Sequence, residues 1–352
     1  QISFIYEDLK TSKEYKEGPM GSIIKLRIAQ TYAIRQSWEE ALDAYYLAWA
    51  DTLKEDPIHR YAQAEAEQGM ATYFKSLLSQ KRTDKIFEIF TLYRESIVAE
   101  MQHPEALYDV GKVLSDIGYV DQARPLLAAC VKNKSTRSEE ALAVLVSIDI
   151  RRADYNMALE WNTQYLKDYP QGNETASMIA ARGEILYHLN RFSEAVPYLE
   201  SSAAMEGQRR INDLFLLADS HHKLGNSGKE TEALDKIIAY SSSLKSPVIE
   251  KALYLRGVQM KEAASLSSSR AMFKYLLSSY PQTTYRDWVT YHLAEIAHKE
   301  GNPQEASRLL NLIVQRGTDK TLKDLAINFL NEIKLGTDID EYSRLLNRFE
   351  GK

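Results

Sequence analysis

Residues Gly183 to Glu200 read GEILYHLNRFSEAVPYLE, and their small, apolar and turn positions recur along the chain at intervals of about 34 residues. The run has a small residue at Gly183, an apolar one at Leu186, a turn residue at Asn190, an alanine at Ala195 and a leucine at Leu199. One interval earlier the same register holds Leu145, Val146, Ala153 and Ala158, and Pro170 closes the second segment. Before that come Val110, Gly111, Leu114, Gly118, Ala123 and Leu127, and near the start Ala29, Tyr32, Ala41, Tyr45 and Ala48. Late in the chain Leu293, Ala294, Ala297, Gly301, Ala306 and Leu310 match. Pro125 and Pro197 both follow the repeat alanine by two residues. Proline is tolerated in the first turn of a helix, where backbone N–H groups have no intrahelical partner, so the two prolines are expected to mark the start of a second helix in each unit.

A fixed period of this length with 3.6-residue apolar spacing means helix pairs that bury their faces by stacking. The pattern resembles the tetratricopeptide repeat, in which each unit is two antiparallel helices with small residues where the pair crosses closely. The resemblance covers nearly all of the chain after residue 20. It implies an all-α, right-handed superhelical solenoid of about eight helix-turn-helix units plus C-terminal capping helices. The units begin near Ser22, Glu67, Pro104, Glu139, Ala176, Ile211, Glu250 and Asp287. Three departures stand out: Phe74 where a small residue is usual, extra residues in Gly225 to Thr231, and Ser269 in place of the alanine.

Three segments follow: 1–20, read as the end of a preceding helix; 21–320, the solenoid; and 321–352, the caps. Leu322 to Ile333 and Tyr342 to Phe349 each show helical apolar spacing, so two capping helices are expected, the first closing the exposed face of the last unit. The chain opens on Gln1 with no initiator methionine or leader-like run, which is read as a piece cut from a longer protein.

Composition narrows the function classes. With 352 residues, 44% hydrophobic and 26% charged, the chain can build a continuous core from neighbour-to-neighbour contacts. Its formal net charge is −5 and its bases are scattered among acids, which argues against nucleic acid, a ligand that needs a concentrated basic face. No apolar stretch approaches the ~20 residues that span a bilayer, so direct membrane insertion is not expected. The single cysteine, Cys130, sits where the repeat places a small core residue; a lone buried thiol identifies no redox compartment.

Chemistry-bearing motifs are absent or incomplete. The run GNSGK at Gly225 to Lys229 lacks the upstream glycine, the following Ser or Thr and the preceding strand of a phosphate loop, and reads as an inter-helix turn. His221 and His222 are neighbours on a helix and point about 100° apart, so they cannot share a metal ion. No nucleophile elbow is present. The sequence therefore reads as a non-enzyme with no metal and no cofactor.

In proteins that resemble this repeat, the first helix of each unit lines a concave wall that holds partner segments. The wall positions here are Tyr108, Lys112 and Asp116; Ser147 and Arg151; Glu184, Tyr187 and His188; Phe215, Asp219, His222 and Lys223; Tyr254, Val258 and Lys261; and Trp288, Tyr291, Glu295, His298 and Lys299. Aromatic rings interleaved with charges suit a protein or peptide segment, because rings supply contact area and charges set register. Equally, rings at helical spacing pack between neighbouring first helices. The clamp that chaperone-binding members use for a C-terminal carboxylate has no matching lysine and asparagine set.

Tyr169-Pro170-Gln171 and Tyr280-Pro281-Gln282 each follow a second helix, and such hinges are similar to those of bacterial envelope members of the family. The expectation is a periplasmic scaffold in a cell-envelope assembly. The alternatives are a cytoplasmic receptor for a signalling peptide, a recruitment module of a larger enzyme, and self-association through exposed ends and edges.

Overall fold

The small residues of the repeat register force pairs of helices close together, and in the computed structural model, which describes residues 20–204 and 210–350, those pairs are what the chain builds. No β-strand occurs among the described residues. The chain divides into two compact units, Gln1–Leu189 and Asn190–Lys352. In the first unit, helices α1 (Gly21–Ile34) and α2 (Trp38–Ala50) pack together, followed by α3 (Pro57–Ser79) with α4 (Thr83–Leu92), α5 (Pro104–Asp116) with α6 (Val120–Lys132), α7 (Ser138–Arg151) with α8 (Tyr155–Asp168), and α9 (Thr175–His188). In the second unit, α10 (Phe192–Ala204) and α11 (Arg210–Lys223) precede α12 (Ser227–Ile238), which pairs with α11. Next come α13 (Pro247–Glu262) with α14 (Leu266–Ser279), α15 (Arg286–Lys299) with α16 (Pro303–Arg316), and α17 (Lys320–Glu350) against α16.

The fourth residue of each second helix sits at the crossing. It is fully buried as Ala41, Ala123, Ala158, Ala195 and Ala306. Its counterpart on the first helix is held to glycine where the pair is tightest. A Cβ on Gly111 would lie 2.9 Å from Leu127 Cγ and 3.3 Å from the Ala123 carbonyl oxygen; one on Gly257 would lie 2.5 Å from Phe273 Cε1. Ser269 replaces the alanine opposite Gly257, and its hydroxyl donates to the Gly257 carbonyl at 2.7 Å. A buried hydroxyl is tolerable there because it is satisfied locally.

Each turn from a first to a second helix contains one left-handed residue: Gln36, Lys81, Gly118, Ala153, Asn190, Gly225, Ala264 and Gly301, with φ from 50s to 90s of degrees. The following N–H closes the turn onto the first helix, as from Tyr119 to Leu114 O at 2.8 Å, Asp154 to Asp149 O at 2.8 Å and Asn302 to Ala297 O at 2.9 Å.

Acids in the first helices cap the repeat that follows. Glu67, 1% exposed, accepts the backbone N–H groups of Gln102 and His103 just before α5. Glu139 accepts from Asn173 N at 2.6 Å and from the Tyr165 hydroxyl at 2.8 Å, just before α9. In the second unit Glu250 accepts from the Thr283 hydroxyl before α15, and Asp287 from Thr318 N before α17. Burial pushes the Glu67 carboxyl up to about 6, against the lowering effect of its two backbone donors.

Several expectations are corrected. Pro125 and Pro197 lie inside α6 and α10, in the second turn and not the first, on exposed faces where the i−4 carbonyl that loses its donor meets solvent. The helix expected near Glu67 starts at Pro57, because Asp56 caps it by accepting from Ile58 N at 2.8 Å. The turn at Gly225 is no longer than the others: α12 starts at Ser227, its fourth residue is Glu230, and the extra residues fall after it in the short 3₁₀ turn Ala239–Ser242. The last two apolar-periodic stretches form one helix of 31 residues, not two. The reading of residues 1–19 as the end of a preceding helix lies outside the described residues.

Two measurements follow from this packing. Gly257→Ala would ordinarily gain about 1 kcal/mol of helix propensity, but here it should lose about 1–3 kcal/mol in urea unfolding, because the buried Phe273 ring has nowhere to go. For Glu67, the carboxyl's affinity for protons is higher folded than unfolded, so its contribution is fully present below the ordinary value of 4.5 and is lost as pH rises through about 6. The unmodified chain should lose about 2 kcal/mol across that window relative to Glu67→Gln, measured by denaturation at successive pH values.

Candidate partner-binding wall

The wall residues of the first unit stand on α5, α7 and α9. Tyr108, expected to face a partner, is only 8% exposed, and the Arg137 guanidinium lies over its ring at 4.2 Å. It is therefore part of the packing, a correction to the sequence-based assignment. Lys112 pairs with Asp116 one turn along α5, at 2.5 Å, both half-exposed. Arg151 on α7 is exposed and donates to Ser115 Oγ of α5 at 2.9 Å. On α9, Glu184 and Tyr187 are half-buried. Tyr187 meets His188 edge-on at 5.2 Å, and His188 stacks on Tyr155 of α8 at 4.5 Å with planes 10° apart. This wall is predominantly charged, with one accessible aromatic pair at its end.

Behind it a buried ion pair ties three helices together. Asp149, fully buried on α7, accepts from Arg124 Nε of α6 at 2.9 Å and from Trp161 Nε1 of α8 at 3.0 Å. A carboxylate in such a place is held by the charge and donors around it, so removing Arg124 would leave it buried without a counter-charge.

The second unit carries the aromatic wall, on α11, α13 and α15. Phe215 is half-buried, and Lys251 Nζ lies 4.6 Å above its ring. Asp219 is half-buried, and His222 and Lys223 are exposed. His222 Nδ1 lies 3.2 Å from Glu230 Oε2, which gives a polar neighbour to the acid occupying the alanine position of α12. On α13, Tyr254 stacks on Tyr285 at 4.6 Å, tilts against Phe273 at 6.4 Å, and places its hydroxyl 3.3 Å from His292 Nε2. Burial pushes its phenol up, reinforced by Tyr285 and Glu295. Lys261 reaches from α13 to α15, bonding Glu295 and approaching His292 Nδ1 at 3.0 Å, while Nδ1 is 2.7 Å from Glu295 Oε2. Burial alone would raise the Glu295 carboxyl; the hydrogen bonds from His292 and Lys261, with the Lys261 charge, outweigh it and hold the carboxyl below its usual range. Tyr291 packs against Trp288 at 6.4 Å and Phe329 at 6.0 Å, and His298 meets Phe329 edge-on at 5.3 Å.

Wall and core are thus not alternatives for these rings. Tyr254 and Tyr291 are each fastened on one side by neighbouring first helices and remain partly accessible on the other. Sequence reasoning missed Tyr285, His292 and Arg137. Of these, a histidine at 292, in a register where apolar residues prevail and flanked by Tyr291, carried a detectable signal. Among the described residues no group of three or more His, Cys, Asp or Glu is placed to hold a metal ion, and no helix is long and apolar enough to cross a membrane.

No protein-family profile matches the chain, and no curated protein matches it in sequence. Solved structures match it in fold. The C-terminal part of a TPR repeat-containing protein from Cytophaga hutchinsonii superposes with a TM-score of 0.56 at 11% identity, covering 72% of this chain and 98% of that one. PilW, a widely conserved type IV pilus biogenesis factor, gives 0.44 at 18% identity over 64% of this chain and 99% of its own. MamA gives 0.42 at 12% identity over 51% and 92%. The chain has the tetratricopeptide-repeat fold.

Proposed function

We propose that this protein is a non-enzymatic scaffold that captures a segment of a partner protein on its first-helix walls, within a bacterial cell-envelope assembly. The observation that carries this reading is the aromatic wall of the second unit. Its rings are held in place before any partner arrives, Tyr254 by Tyr285 at 4.6 Å and Tyr291 by Phe329 at 6.0 Å, so little rotamer freedom is left to lose on binding. Polar and charged groups of both signs surround them: exposed Lys223 and Lys299 with the exposed imidazoles of His222 and His298, and half-buried Asp219 and Glu295. A polar rim around fixed rings is the composition of a protein-binding surface.

The envelope assignment draws on the two Tyr-Pro-Gln hinges. Both tyrosines end their helix in the same way, Tyr169 with φ −130° and ψ 59°, Tyr280 with φ −130° and ψ 74°. The proline that follows keeps each tyrosine out of the helical region, so both hinges end a second helix in the same way.

Affinity capture from a bacterial envelope extract tests the proposal. The unmodified chain is compared with Phe215→Ala/Tyr187→Ala and with Lys236→Ala on the exposed face of α12, each confirmed folded by circular dichroism. The wall variant should retain the captured protein at least about tenfold less well, with Lys236→Ala unchanged. Equal retention by all three would remove the walls as the working surface.

A further inference from the structure

Helix α17 is more than twice as long as the helices it packs on. Its 31 residues span ~46 Å, against ~21 Å for the 14 residues of α15 or α16. Its first half behaves as one more first helix: Leu322, Ala326 and Ile333 are buried against Ala297, Ala306 and Ile313, with Phe329 partly buried beside them. After Ile333 the described residues are exposed, including two large apolar ones, Leu335 at 62% and Ile339 at 56%.

Those two begin a second apolar series. In the sequence it continues at Tyr342, Leu346 and Phe349, giving gaps of four, three, four and three, the spacing of a coiled-coil seam. Leu335 follows Ile333 by two residues, about 200° around the helix, so the series starts on the side away from the face already packed. The charges between seam positions are ordered as well. Acids come first, Asp338, Asp340 and Glu341, and bases after, Arg344 and Arg348. Two such segments side by side in parallel set acid beside acid and base beside base. Set antiparallel, each acidic half meets the other's basic half. A helix of some 17 residues without a packed face is marginal in water, so this half of α17 gains most from a partner.

We propose that a second copy of this chain occupies the seam, the two α17 extensions pairing antiparallel about Tyr342 in a two-fold contact. The contact is isologous, because the same acidic and basic halves serve both chains. It is independent of the first-helix walls and leaves them open for a partner.

Sedimentation velocity of the full chain at low salt over a range of concentrations tests this. The unmodified chain should pass from monomer to dimer as concentration rises. Leu335→Asp/Ile339→Asp should stay monomeric throughout, and at concentrations where the unmodified chain is also monomeric its helix content and melting temperature should be the same, since both residues are exposed in the single chain. Arg344→Glu/Arg348→Glu should weaken the dimer at least about tenfold, and adding Asp338→Arg, Asp340→Arg and Glu341→Arg to the same chain should restore it. A chain that remains monomeric at the highest concentration would overturn the proposal. So would a dimer indifferent to the seam substitutions, and a failure of the full reversal to restore pairing would overturn the antiparallel register.

Discussion

Everything in this fold depends on how closely the two helices of a pair can cross. At Gly111 and Gly257 there is no room for a methyl group, and the facing helix presents a buried alanine or a locally bonded serine. Such close approach buries the second helix on one side of the first and leaves the first helix with one remaining face. Stacking successive pairs within a unit then aligns those faces, and the residues on them become the wall. A larger residue at the crossing would separate the pair and disturb that alignment.

The chain departs from the rule at two places, and both are accommodated locally. Ile86 takes the alanine position of α4 and is fully buried there. Its first helix, α3, is the longest of the first unit at 23 residues, while α4 is only ten and ends in a π-helical turn at Arg94–Val98. Tyr93, at that break, reaches back to Asp43 of α2 with its hydroxyl at 2.7 Å, so the distorted pair is still tied to its neighbour. Glu230 takes the position in α12 and keeps a polar neighbour in His222. An apolar intruder is absorbed by changing helix lengths; a charged one needs a partner.

The repeat was legible because its signal is repeated: alanines at 41, 123, 158, 195 and 306 with the leucines and turn residues around them report one geometry many times over. What failed were single-residue inferences. Pro125 and Pro197 mark the right helices but not their first turns, since an exposed face tolerates an unpaired carbonyl. The Gly225 turn reads as longer in the sequence because Glu230, a buried acid, stands at the crossing where the repeat places an alanine, and a buried acid is a poor guess without its histidine in view. The wall positions were read from register alone, which assigns a direction and cannot foresee a lid: Arg137 covers Tyr108 from the loop before α7. In the second unit the same register holds, yet contacts from one first helix to the next and to the residue before it, Lys261 with Glu295 and Tyr254 with Tyr285, anchor residues that the sequence alone would leave open.

The central claim is that a partner lies on the aromatic first-helix face and nowhere on the second helices. Site-specific photo-crosslinking in the cells that make the protein measures this directly, with the crosslinking residue placed in turn at 215, 291, 236 and 308. The account predicts one discrete crosslinked product from positions 215 and 291 and none from 236 on α12 or 308 on α16. The same product from 236 or 308, with none from 215 and 291, would contradict it.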